Sequence, residues 1–152
     1  MTIGEICTRE VVYVGINESV ADAARLMREH HVGSLVVLQP AQVGGKPVGV
    51  ITDRDIVVGI VALSLDPEAT PVEAVMRPSV ACIREDEGLG RAVALMKQEG
   101  VRRLPVVDAK GALVGIVSAD DLLELVAEEM SGLAAMVGRE FRRERDERVT
   151  AH

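Results

Sequence analysis

The stretch GVITDRD, residues 49–55, recurs as GIVSADD at residues 115–121. Each reads glycine, two branched aliphatics, a hydroxyl residue, two variable positions and an aspartate. The recurrence extends outward from there. A shift of 69 residues sets Val11 on Val80, Glu18 on Glu87, Ala23 on Ala92, Leu26 and Met27 on Leu95 and Met96, Val32 on Val101, Leu35 on Leu104 and Val37 on Val106. One loop is three residues longer in the first copy (QPAQVGGK against DAKGA), after which the shift is 66. Gly45 then meets Gly111, Val48 and Gly49 meet Val114 and Gly115, and Asp55 meets Asp121. Identities in one order with one gap make the chain a tandem duplication.

Each copy has the same order of elements. Val20, Ala23, Ala24 and Met27 fall on one helical face, with Ser19 as N-cap and Asp22 three residues on. In the second copy Leu89, Ala92, Val93 and Met96 repeat the face, Asp86 is the expected cap, and Gly100 the expected stop. Two short β-rich runs follow, LVVL with PVGVI and then LPVV with LVGIV, unalternated in the way of strands covered on both sides. Gly44–Gly45 and Asp108–Lys110–Gly111 supply the hairpin turns. With first strands at Val11–Val14 and Val80–Ile83, and second helices from Asp53 and Ala119, the unit reads strand–helix–strand–strand–helix. The fold class is therefore α/β (α+β), two βαββα repeats with a C-terminal helical extension. The expected boundaries are 1–65 for the first repeat, 66–71 for the linker, 72–130 for the second repeat and 131–152 for the tail. Each repeat alone is marginal in size, so the two pack together, and the crevice between them is a natural ligand site.

The repeated motif supports two readings. Thr-x-x-Asp and Ser-x-x-Asp resemble a capping box, in which hydroxyl and carboxylate satisfy orphan backbone donors of a helix start. The same geometry serves a nucleotide. The helix N-terminus and the hydroxyl of Thr52 or Ser118 suit a phosphate, while Asp55 or Asp121 can accept from two vicinal ribose hydroxyls. The glycine upstream would then permit close approach of the ligand.

Composition narrows the partners. With 17 basic and 24 acidic residues the chain carries −7, which opposes a phosphate-tracking surface. One Tyr and one Phe, with no Trp, oppose single-strand stacking platforms. A base could still be held, but by aliphatic contacts. No apolar run reaches membrane-spanning length, and the start MTIGEICTRE lacks signal-peptide character. The expectation is a cytoplasmic protein with no nucleic-acid or membrane partner. Cys7 and Cys82 fall at apolar positions of the repeat and read as reduced core thiols. The adjacent His30 and His31 lack the further ligands of a metal site, so no metal is expected. No nucleophile–base–orienter set or P-loop lysine motif is present, so no catalytic residue is assigned and the chain reads as no enzyme.

The paired units resemble tandem CBS domains, the Bateman module. The resemblance rests on G-h-h-[TS]-x-x-D in both copies, VRRLPVVD (Val101 to Asp108), MRPSV (Met76 to Val80) and TDRDI (Thr52 to Ile56), and covers about residues 1–130. It implies pseudo-two-fold packing of the repeats, a homodimer, and an adenosyl ligand (AMP, ADP, ATP or S-adenosylmethionine) in the inter-repeat cleft. It places Thr52 and Ser118 on phosphate and Asp55 and Asp121 on ribose. The strands around Val37 and Val106 would flank adenine. Asp53 and Asp120 set acid beside the phosphate positions, and Arg54, Arg102 and Arg103 are the candidates to offset it. Arg54 has no basic counterpart in the second copy, so the two sites are unequal and a mono- or diphosphate at one site is favoured. No obligatory cofactor is implied, and the signal would pass to a separate effector protein. The alternative is a ligand-independent dimerisation module in which both motifs are only caps.

Beyond the repeats, Leu122, Val126, Met130, Leu133 and Val137 continue an apolar stripe. The segment Arg139–Arg148 alternates five arginines with four acids, with Glu144 and Arg148 four residues apart. The stripe reads either as part of a solvated helix or as a docking face for a dimer mate or partner.

Overall fold

The computed structural model describes residues 1–78 and 80–151. Two compact units are present, Met1–Ser118 and a second beginning at Ala119. The first opens with a short helix α1 (Ile3–Ile6), followed by β1 (Tyr13–Gly15), α2 (Val20–His30), β2 (Ser34–Gln39), β3 (Lys46–Thr52) and α3 (Asp53–Ile56). The second copy adds β4 (Arg77–Pro78), β5 (Ile83–Arg84), α4 (Leu89–Glu99), β6 (Arg103–Val107) and β7 (Leu113–Ser118). The second unit is helix α5 (Ala119–Thr150).

The duplication is visible in the sheets. In each, the first strand runs parallel to the second, which pairs antiparallel with the third: β1–β2–β3 and β5–β6–β7. Four consecutive residues of β2, Leu35–Leu38, and four of β6, Leu104–Val107, are buried, as expected for strands covered on both faces.

Local chemistry sets the helix ends. Ser19 accepts the Asp22 N–H at 3.0 Å, capping α2. Gly100 ends α4 in the left-handed region, φ 65°. Asp86, however, does not cap α4. Its carboxylate binds the Arg84 guanidinium at 2.7 and 3.0 Å, and Gly88 stands at the N-cap with no side-chain bond. The first strands are also shorter than their apolar runs, beginning at Tyr13 and Ile83 rather than Val11 and Val80. After Ile56 the first copy's second helix widens into a π-type turn, Val57–Val61, whereas α5 runs on without a break at residue 130. In the tail the observed pair is Arg143–Glu147 at 3.0 Å, one residue before the expected one.

The main surprise is an exchange of opening segments. Residues ahead of β1 dock on the second repeat, and residues ahead of β5 dock on the first. The Ile3 and Gly4 N–H groups donate to the Glu87 and Glu85 carbonyls, both at 2.8 Å. Their counterparts Val72 and Glu73 donate to the Glu18 and Ile16 carbonyls at 2.8 and 3.2 Å. Ile3 and Val72 are both fully buried, and Val72 belongs to the core that holds Val14, Leu35 and Ile51. The repeated glutamates shape the receiving turns: Glu18 accepts from the Gly15 N–H and Glu87 from the Arg84 N–H. Strand β4 then pairs antiparallel with β3, while Thr8 bridges to Ile116 of β7. Each repeat thus completes the other.

Candidate functional site

A cleft of about 760 Å³ opens between the two repeats of the first unit. That volume suits a small organic ligand. Its lining includes matched positions of the duplication, Val32–Val36 with Val101–Arg103 and Pro105, and Val11 and Val12 with Val80 and Ala81. At one end Thr52, Asp53 and Arg54 line the cleft.

Around Thr52 the capping box is closed. Thr52 Oγ1 accepts the Asp55 N–H at 3.1 Å, and Asp55 Oδ2 accepts the Thr52 N–H at 2.9 Å. The other Asp55 oxygen lies 3.6 Å from Arg77 Nε. Asp55 is largely buried (its side chain is 15% exposed), whereas Arg77 lines the cleft and is 66% exposed. Arg77 belongs to the exchanged segment, so the second repeat's opening residues reach the first repeat's motif.

The cleft is lined by Arg54, Arg77, Arg102 and Arg103 against Glu10, Asp53 and Glu99, four positive and three negative charges, for a local balance of +1. Against −7 for the whole chain, this concentrates positive charge at one place. Val37 and Val106 do not line it. Both are fully buried in the core, and the preceding residues Val36 and Pro105 face the cleft instead, as the two-residue period of a strand requires. Ser118 ends β7 opposite Arg103, and Asp121 stands in the first turn of α5.

Sequence reasoning missed Arg77. Its signal was a lone cation in MRPSV, opposite Thr8 of the first copy. Ser79 of that run lies outside the described residues. It also misread Gly49 and Gly115. A Cβ on Gly49 would stand 2.6 Å from the Arg77 carbonyl oxygen and 2.9 Å from Met76 Sδ. One on Gly115 would stand 2.6 Å from Cys7 Sγ and 2.9 Å from the Thr8 carbonyl oxygen. These glycines admit the exchanged segments rather than a ligand.

Comparison with known proteins gives the same architecture. The family description CBS domain matches residues 3–62 and again 72–128. The chain belongs to the CBS-domain family. As a tandem CBS-domain protein it is 35% identical over 134 residues to the CBS domain-containing protein YhcV of Bacillus subtilis, covering 88% of this chain and 91% of YhcV. It is also 35% identical to the Methanopyrus kandleri protein MK0525 over 82% of its own length, but spans only 62% of that relative. Among solved structures, CBSX2 from Arabidopsis thaliana superposes with a TM-score of 0.73 at 28% identity, covering 86% of this chain and 96% of that one. CBSX2 in complex with AMP gives a TM-score of 0.69 at 28% identity, over 85% and 98% of the two chains. The tandem CBS fold and a regulatory-module class follow from these matches. No helix among the described residues is long and apolar enough to cross a membrane.

Proposed function

We propose that this protein is a non-catalytic regulatory module that binds an adenosine mono- or diphosphate in the inter-repeat cleft and passes the signal to a separate effector protein. The observation that carries this reading is the group of four arginines on the cleft walls of an otherwise acidic chain. Thr52 and Arg54, with Arg77, would hold phosphate. Arg102 and Arg103 approach from the other repeat, and Val36 and Pro105 would flank the base. The three acids on the same walls disfavour a triphosphate, whose added charge the balance of +1 does not match. AMP bound to the similar CBSX2 supports the ligand class.

Asp55 would take the ribose hydroxyls once phosphate draws Arg77 away from it. The ligand would thereby trade a cross-repeat ion pair for contacts of its own. Its effect on the repeats can be no larger than its preference for one arrangement over the other. In this reading the second motif, Ser118 and Asp121, is a weaker or unused site, and the protein acts as a cytoplasmic homodimer. Mass spectrometry of small molecules released from freshly purified protein tests the ligand class. Release of an adenine nucleotide supports it; a different compound seated in the same cleft would replace it.

A second reading has its own observation, the fully closed capping box at Thr52 and Asp55. Here the motif only starts a helix, and the module works through protein contacts without ligand.

A further inference from the structure

Helix α5 is 32 residues long, about 48 Å at 1.5 Å per residue. Leu123, Val126, Met130, Leu133 and Val137 follow the alternating three- and four-residue spacing of a coiled-coil seam. All five are exposed, between 39% and 66%. Gly132 and Gly138 lie inside the helix, each costing about 1 kcal/mol relative to Ala, so intrinsic propensity alone does not account for it.

The charges say what covers the seam. Residues 119–131 contain five acids (Asp120, Asp121, Glu124, Glu128 and Glu129) and no basic residue, a charge of −5. Residues 132–144 contain three arginines and two acids, a charge of +1. Parallel pairing of two copies would set −5 against −5, whereas antiparallel pairing sets −5 against +1.

One antiparallel register pairs four of the five seam residues and brings opposite charges level, with Leu123 level with Glu140 of the second copy. With the two-fold axis between Ser131 and Gly132, Met130 meets Leu133 and Val126 meets Val137 of the second copy. Glu124 then lies level with Arg139, and Asp121 with Arg142. We propose that α5 pairs with α5 of a second copy as an antiparallel two-helix coil centred between Ser131 and Gly132. This pairing is self-complementary, as a two-fold interface must be. It does not rest on the nucleotide reading.

The test is oxidative cross-linking of the full chain carrying Val126→Cys and Val137→Cys, followed by peptide mapping. Within one chain these positions stand about 16 Å apart along the helix, too far for a disulfide. The expected product is an intermolecular bond between residues 126 and 137, lost when Leu133→Glu is added while circular dichroism shows the helix content retained. Bonds only between like positions would overturn the antiparallel register. Absence of any intermolecular bond between these peptides, or a bond unaffected by Leu133→Glu in the folded protein, would overturn the seam.

Discussion

A Cβ placed on Gly49 would stand 2.6 Å from the carbonyl oxygen of Arg77, so the first repeat's motif strand leaves no room for a side chain beneath the second repeat's opening segment. Gly115 stands in the same relation to Thr8, at 2.9 Å. Gly49→Ala and Gly115→Ala are therefore expected to destabilise the protein by about 1–3 kcal/mol each, as overpacking does. At roughly 2–4 °C per kcal/mol for a chain of this size, thermal denaturation resolves the loss. Gly132→Ala is the control. Its Cβ meets open space in a helix interior, so that variant should gain up to about 1 kcal/mol.

Arg77 joins the two repeats through Asp55 and also lines the cleft. Exchange of an exposed partner such as Arg77 should change stability by less than about 1 kcal/mol. Its effect on AMP should be far larger, because a charge-assisted bond to phosphate is worth about 1.5–3 kcal/mol, roughly 10- to 100-fold in affinity. Calorimetry on Arg77→Gln reads the affinity, and urea unfolding reads the stability. A variant that loses stability but binds AMP normally would make Arg77 a structural residue only.

Asp55→Glu separates cap from ribose ligand. Glutamate also closes a capping box, so stability should stay within about 1 kcal/mol of the parent. The longer side chain should nevertheless spoil diol recognition and weaken AMP by tenfold or more. Unchanged affinity would favour the cap-only reading. Thr52→Val removes the accepting hydroxyl and should cost about 0.5–2 kcal/mol under either reading.

Burial pushes the Cys82 thiol up to about 11, so the thiolate is scarce at neutral pH. Labelling of Cys82 by a disulfide reagent should keep accelerating beyond pH 9 toward pH 11, with little reaction at pH 7. The sign for stability follows. Because the folded state holds the proton more tightly, the contribution is present below about pH 9 and falls away as the pH rises toward 11. Fast labelling at pH 7 would contradict this environment.

Local pattern made much of the fold legible. The helical faces of α2 and α4, the buried runs of β2 and β6 and the turns at Gly44 and Gly111 are encoded within a few residues. The exchange of Ile3 and Val72 is not, because it joins positions far apart in the chain and nothing local distinguishes a segment that docks at home from one that docks across. That non-local contact is also why Gly49 and Gly115 pointed to a ligand and why Arg77 escaped notice. Asp86 was misassigned for a nearer reason, since the neighbouring Arg84 competes for its carboxylate. Val37 and Val106 were one residue out of register with the cleft-facing side of their strands.

The most direct measurement of the central claim is calorimetric titration of AMP into wild-type protein and into the Arg77→Ala/Asp55→Ala double variant, with folding of both verified by circular dichroism. Saturable binding to the wild type and at least a tenfold weaker affinity in the variant are expected. Equal affinities in the two proteins, or no binding to the wild type, would contradict an adenine-nucleotide site at the Thr52 end of the cleft.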